Sequence, residues 1–188
     1  MAKQSTFTNM VLCLFVVCLV CSGLLAGVHT LTASAIAQAE QNKKEQAVAA
    51  VLPEFDNSPL NESISFSFNG EDCVVYPAQK DGSLIGYAIQ SDAVGFGGKI
   101  ALMVGISADG RIFGTSTLSQ AETPGLGAKI TSDAKFIGQW KDIDAASFRF
   151  AVKKDGGDVD AITASTITSR AYTKAVQKAY EIFKSIPR

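Results

Sequence analysis

Three features of the chain predict an α+β fold, an antiparallel sheet meander with packed helices, preceded by one N-terminal transmembrane helix. Between Ser63 and Ser119, short runs with apolar residues at every second position are separated by Asn-Gly and Asp-Gly pairs. After Thr166, apolar residues recur at helical spacing. Near the N-terminus stands a stretch with almost no polar residue.

The apolar stretch comes first. From Gln4 to Ala39 there is no Asp, Glu, Lys or Arg, and Met10 to Val28 is almost continuously apolar. About 20 helical residues cross a hydrocarbon core of roughly 30 Å. A cleaved signal peptide is the competing reading, since ASAIAQA carries A-x-A patterns. The run exceeds a usual signal core, and those patterns lie several residues beyond its end, so an uncleaved anchor is expected. Lys3 favours a cytoplasmic N-terminus, although Lys43 and Lys44 pull weakly the other way. His29, the only histidine, falls at the end of this span as an interfacial residue. Residues 29–56 are Ala-rich and read as a membrane-proximal helix ended by Pro53.

SISFSF (63–68), CVVYPAQ (73–79) and LIGYAIQ (84–90) are strand candidates joined by Asn69-Gly70 and Asp81-Gly82. KIALMVGIS (99–107) is more continuously apolar, and Asp109-Gly110 turns it into RIFGTSTLS (111–119). The expectation is about five antiparallel strands. A short helix around Ser132–Trp140 follows, then a strand candidate SFRFAV (147–152) and a loop DGGD (155–158). Ile167, Ala171, Ala175, Val176, Ala179, Ile182 and Phe183 mark the apolar face of a final helix ended by Lys184 and Pro187.

Composition removes several functions. Seventeen Lys and Arg against 18 Asp and Glu leave no basic stripe for nucleic acid. Cys13, Cys18 and Cys21 lie in the apolar span, so Cys73 alone can form neither an internal disulfide nor a four-ligand zinc site. Without a histidine beyond His29, Ser–His and Cys–His nucleophile systems are excluded. GFGGK (95–99) leads into a strand, not a helix, and makes a poor phosphate cradle. Asp155, Asp158 and Asp160 lack the terminal Glu of a calcium loop.

Two elements rich in glycine and hydroxyls remain. TPGLGAK (123–129) fits a turn, with Pro124-Gly125 suited to type II. It equally fits a backbone that lets a flat or anionic ligand approach closely. DAITASTITS (160–169) fits an N-cap in which Thr163, Ser165 or Thr166 serves the last helix. The same geometry is a phosphate site, with free amides at the positive end of the helix dipole.

DAITASTITS resembles the flavin-attachment signature of a family of FMN-binding proteins. Its members are the RnfG component of the Rnf complex and the NqrC component of the sodium-pumping NADH:quinone oxidoreductase. Asp160 matches the leading Asp, Ile162 the apolar position, Thr163 the hydroxyl position, and Thr168 and Ser169 the trailing pair. Thr166 falls on the threonine that carries FMN through a phosphoester. Ala164 stands where Gly is usual and Ser165 where Ala is usual. The resemblance extends over nearly the whole chain, through GFGGKIALMVGI (95–106) and ETPGLGAKI (122–130) in the family's order.

The resemblance implies a periplasmic FMN-binding domain over 57–188, a membrane anchor at 10–28 and a cytoplasmic N-terminus at 1–9. It implies a single-pass protein of the inner (cytoplasmic) membrane, with the domain on the extracytoplasmic side. Glu122, Thr123, Gly125, Leu126, Gly127 and Lys129 would lie near the flavin. Thr163, Ser165, Thr168 and Ser169 would surround the attachment point, and Asp160 would belong to a signal read by a separate flavin transferase. The implied role is an electron-transfer component, not catalytic alone, in a complex that couples ferredoxin–NAD electron transfer to ion translocation. Its partners would be the other membrane subunits. The short chain favours the Rnf-type protein over the quinone-reductase one. A non-redox exported domain, with the hydroxyls serving only as a cap, is the reading from a different class.

Overall fold

The computed structural model describes residues 7–186. The proposed cytoplasmic segment therefore falls mostly outside the described residues, as does Pro187. The chain divides into two compact units, one ending at Asn42 and one beginning at Lys43.

The first element is α1 (Phe7–Val51), whose apolar part shows no polar face. Leu12, Leu14, Leu24 and Leu25 are all well exposed. Among the described residues it is the one helix long and apolar enough to cross a membrane. It stops two residues before Pro53, whose ring would clash with the preceding turn.

From Lys43 on, the fold is a sheet covered on both faces. β1 (Ile64–Phe68), β2 (Glu71–Lys80), β3 (Ser83–Val94), β4 (Lys99–Ser107), β5 (Arg111–Ser119) and β6 (Ile143–Asp144) pair antiparallel in chain order. The turn residues act as their chemistry requires. Asn69-Gly70 and Asp81-Gly82 all take positive φ, the two-residue turn that matches strand twist.

β4 explains its own unbroken hydrophobicity. Ile100, Leu102, Val104 and Ile106 enter the core beneath the C-terminal helix. Ala101 and Met103 enter a second core with Val48 and Val51 from the end of α1 and Leu52 just after it. A strand buried on both faces cannot alternate with polar residues. Each buried Ile or Leu contributes about 1.5–3 kcal/mol. Gly105 has a steric reason to be glycine, since a Cβ there would lie 1.9 Å from the Val51 carbonyl oxygen.

The C-terminal half carries α2 (Ala134–Gly138) and α3 (Thr166–Lys184). Asp133 caps α2 by accepting from the Lys135 and Phe136 N–H groups. α3 packs on β3 and β4, and the Ser91 hydroxyl donates to the Ala175 carbonyl across 2.8 Å. The Tyr172 hydroxyl donates to Thr115 Oγ1, 2.9 Å away. Burial pushes the Tyr172 phenol above its ordinary value, against the opposing influence of its hydrogen bonding with Thr115 and Thr117.

Three expectations change. SFRFAV is not a strand. Its only bridge joins Val152 to Val159, and the Ala151 N–H turns back to Arg149 O at 2.7 Å. The alternation is real but serves another purpose: Phe148 and Phe150 pack edge to face, and Phe148 meets Trp140. Ile167 leaves the apolar face of α3 and is 54% exposed. The sheet gains a sixth, two-residue strand, β6, where Arg111 and Ile112 pair with Asp144 and Ile143.

Candidate functional site

Three segments distant in sequence meet in a cleft of about 390 Å³ at the start of α3. Phe96 comes from the loop between β3 and β4. Glu122, Thr123, Leu126 and Gly127 come from the loop after β5. Ala164 to Thr168 form the third wall.

Glu122 joins all three segments. It is 5% exposed, and its carboxylate accepts from the Gly97 N–H at 3.0 Å and the Thr168 hydroxyl at 2.7 Å. Its own N–H donates to Gln120 Oε1. Glycines surround it for steric reasons. A Cβ on Gly95 would sit 2.2 Å from Oε1, and one on Gly127 would sit 2.4 Å from Oε2. Gly125 is different, taking φ +77° in open space as a turn residue.

The third wall is built with less closure. Ser165 occupies the N-cap position of α3, yet no side chain caps the helix. The Ser169 N–H returns to the Ser165 carbonyl, so Thr166, Ile167 and Thr168 present N–H groups that no helical carbonyl can reach. The Ser169 hydroxyl, fully buried, accepts from the Ile162 N–H and donates to Ser165 O, fixing the approach of the chain. Ala164 takes φ +62°, a left-handed conformation that disfavours a side chain. Ser165 Oγ is buried without a hydrogen-bond partner. Thr166 itself is half-buried in the cleft wall.

The structure thus brings together Glu122, Thr123, Leu126, Gly127, Ser165, Thr166 and Thr168. Asp160, Thr163, Gly125, Lys129 and Ser169 lie outside the wall. Asp160 sits on the approach to α3. Its carboxylate pairs with Lys153 at 2.7 Å, and both its backbone polar groups bond to the Gln139 amide. Sequence reasoning missed Phe96, Ala164 and Ile167 as cleft residues. Phe96 and Ile167 are large apolar side chains left 71% and 54% exposed beside the expected Leu126, whereas Ala164 shows itself only by its positive φ.

Ion pairs hold the segment leading into the site. Arg170 makes two contacts with Asp155, and Arg149 binds Asp158 through side chain and backbone. Both carboxyls fall below the ordinary Asp value, chiefly through those arginine hydrogen bonds.

Residues 95–181, which contain the whole cleft, match the family model of the FMN-binding domain. Residues 1–51 match that of the RnfG N-terminal region. A relative from Stutzerimonas stutzeri, the G subunit of its ion-translocating oxidoreductase complex, is 39% identical over 174 residues, spanning 87% of this chain and 74% of its own. Its counterpart from Methanosarcina acetivorans is 32% identical and spans 96% of each chain. A crystal structure of the C subunit of Na(+)-translocating NADH-quinone reductase, from Parabacteroides distasonis, shares the fold. Its TM-score is 0.51 at 23% identity, covering 72% of this chain and 73% of that one. The chain belongs to the RnfG family, the G subunits of ion-translocating oxidoreductase complexes.

Proposed function

We propose that the chain is a membrane-anchored electron-transfer protein that carries FMN as a phosphoester on Thr166. It works within an ion-translocating oxidoreductase complex and is not catalytic alone. The names of the relatives support the complex and the family model supports the flavin. In this reading electrons pass between ferredoxin and NAD through the complex, and the other membrane subunits are its partners. The fold is shared with the quinone-reductase protein, but relatives that cover 86–96% of the chain are G subunits of the ion-translocating complex.

The residues of the cleft fit the group. An uncapped helix start attracts a phosphate through free N–H groups and the positive end of the dipole. The buried Ser165 hydroxyl lacks a partner that a phosphate oxygen would supply. Gly127 leaves a wall without side-chain bulk, and Phe96, Leu126 and Ile167 offer apolar surface to a flat ring. FMN, when bound, supplies reversible uptake of electrons. The start of α3 would hold the phosphate, and Phe96, Leu126 and Ile167 would bear on the ring.

In the same reading, α1 anchors the protein in the inner membrane with the domain on the extracytoplasmic side, where a flavin transferase loads it. Asp160, exposed and held through its backbone by Gln139, is available to that enzyme. The observation that carries the proposal is Thr166 in the cleft wall at the uncapped start of α3. Thr166→Val should abolish flavin that survives denaturation and leave the fold intact, as read by absorbance of the denatured protein and circular dichroism. Flavin retained by that variant would move the attachment to another hydroxyl.

A further inference from the structure

Glu122 is the buried charged group for which electron transfer has so far supplied no role. Its two carboxylate oxygens are engaged by one backbone N–H and one hydroxyl, both neutral donors. None of the ion pairs among the described residues includes it. A glutamine would meet the same partners. Its carbonyl would accept from Gly97, and its amide would donate to Thr168 Oγ1. The bridging of loop and helix therefore does not require the negative charge, and burying an unpaired charge is costly.

We propose that Glu122 sets the reduction potential of the flavin by holding a carboxylate with no cationic partner among the described residues in the wall of its cleft. The inference rests on the FMN reading above. Uptake of two electrons and one proton leaves the flavin ring with one negative charge. A like charge fixed nearby in a water-poor wall opposes that uptake more strongly than it would in bulk solvent. Glu122 is thereby a positioning residue in two senses: it ties Gly97 to α3, and it biases the ring toward its oxidised form. A low potential lets a carrier pass electrons onward.

The test is a stepwise dithionite titration of the full-length, FMN-loaded protein in detergent, compared with Glu122→Gln. The variant is expected to keep its fold, read by circular dichroism, while the midpoint of the flavin it carries moves to a more positive value. A midpoint unchanged or more negative overturns the inference. If Gln prevents folding, Thr168→Val removes the side-chain donor to the carboxylate and leaves its charge less compensated. Its midpoint should then move to a more negative value, and one unchanged or more positive overturns the inference equally. A wild-type chain that carries no flavin sinks the proposed function and this inference with it. A flavin-bearing wild type whose variant titrates alike sinks only the inference.

Discussion

The two walls of the cleft are built on opposite plans. On the Glu122 side both carboxylate oxygens are engaged, and glycines let backbone and carboxylate touch without a gap. On the Ser165 side a hydroxyl is buried without a partner, the helix is uncapped, and a left-handed alanine precedes it. The first wall is complete in itself. The second holds a deficit that a ligand would fill, which is what distinguishes a frame from a receptor. Natural interiors rarely bury an unpartnered hydroxyl.

Breaking the complete wall should have the largest effect. Gly127→Val forces carbon against Glu122 Oε2 and Thr168 Oγ1 and should cost about 2–3 kcal/mol of stability, measured by urea denaturation. The incomplete wall should answer in the opposite sense. Ser165→Ala in flavin-free protein should be neutral or stabilising by about 1–2 kcal/mol, because it removes an unsatisfied buried group. The same variant loaded with FMN should lose part of the stabilisation the flavin brings. A destabilised flavin-free variant would show that the hydroxyl already has a partner. A smaller gain of about 0.5–1 kcal/mol is expected from Ala164→Gly, which relieves positive φ but adds freedom to the unfolded chain. Thermal melting read at fixed pH tests it.

The smallest effect is electrostatic. Asp155 and Asp158 are held below their ordinary values by Arg170 and Arg149. A lowered folded-state value means the stabilisation is complete above the unfolded value of about 4 and fades as pH falls through the folded one. Replacing Arg170 with Gln should therefore narrow the difference between melting at pH 6 and at pH 3. Equal losses at both pH values would show that Arg170 acts by packing alone.

Much of this was legible from local chemistry. The turn pairs announced their hairpins because positive φ restricts the residues that fit. β4 announced its burial because both its faces are covered. The cleft was legible only as two separate elements. Nothing in the spacing of ETPGLG and DAITASTITS says that Glu122 and Thr168, 46 positions apart, share a hydrogen bond. Phe96 was silent because an exposed aromatic has no periodicity to betray it. SFRFAV misled because a period of two also arises when two rings enter one aromatic cluster, Phe148 against Trp140 and Phe150 against Tyr180, without any neighbouring strand.

The order of the meander has a consequence for biogenesis. Each strand lies beside its predecessor, so a chain emerging from its N-terminus can assemble the sheet from β1 to β5 as it appears. The cleft needs α3, the last element to emerge. A chain cut short before Thr166 would carry the framework but no acceptor hydroxyl, and could not be loaded. In the proposed function, a bound flavin shows that synthesis had passed Thr166.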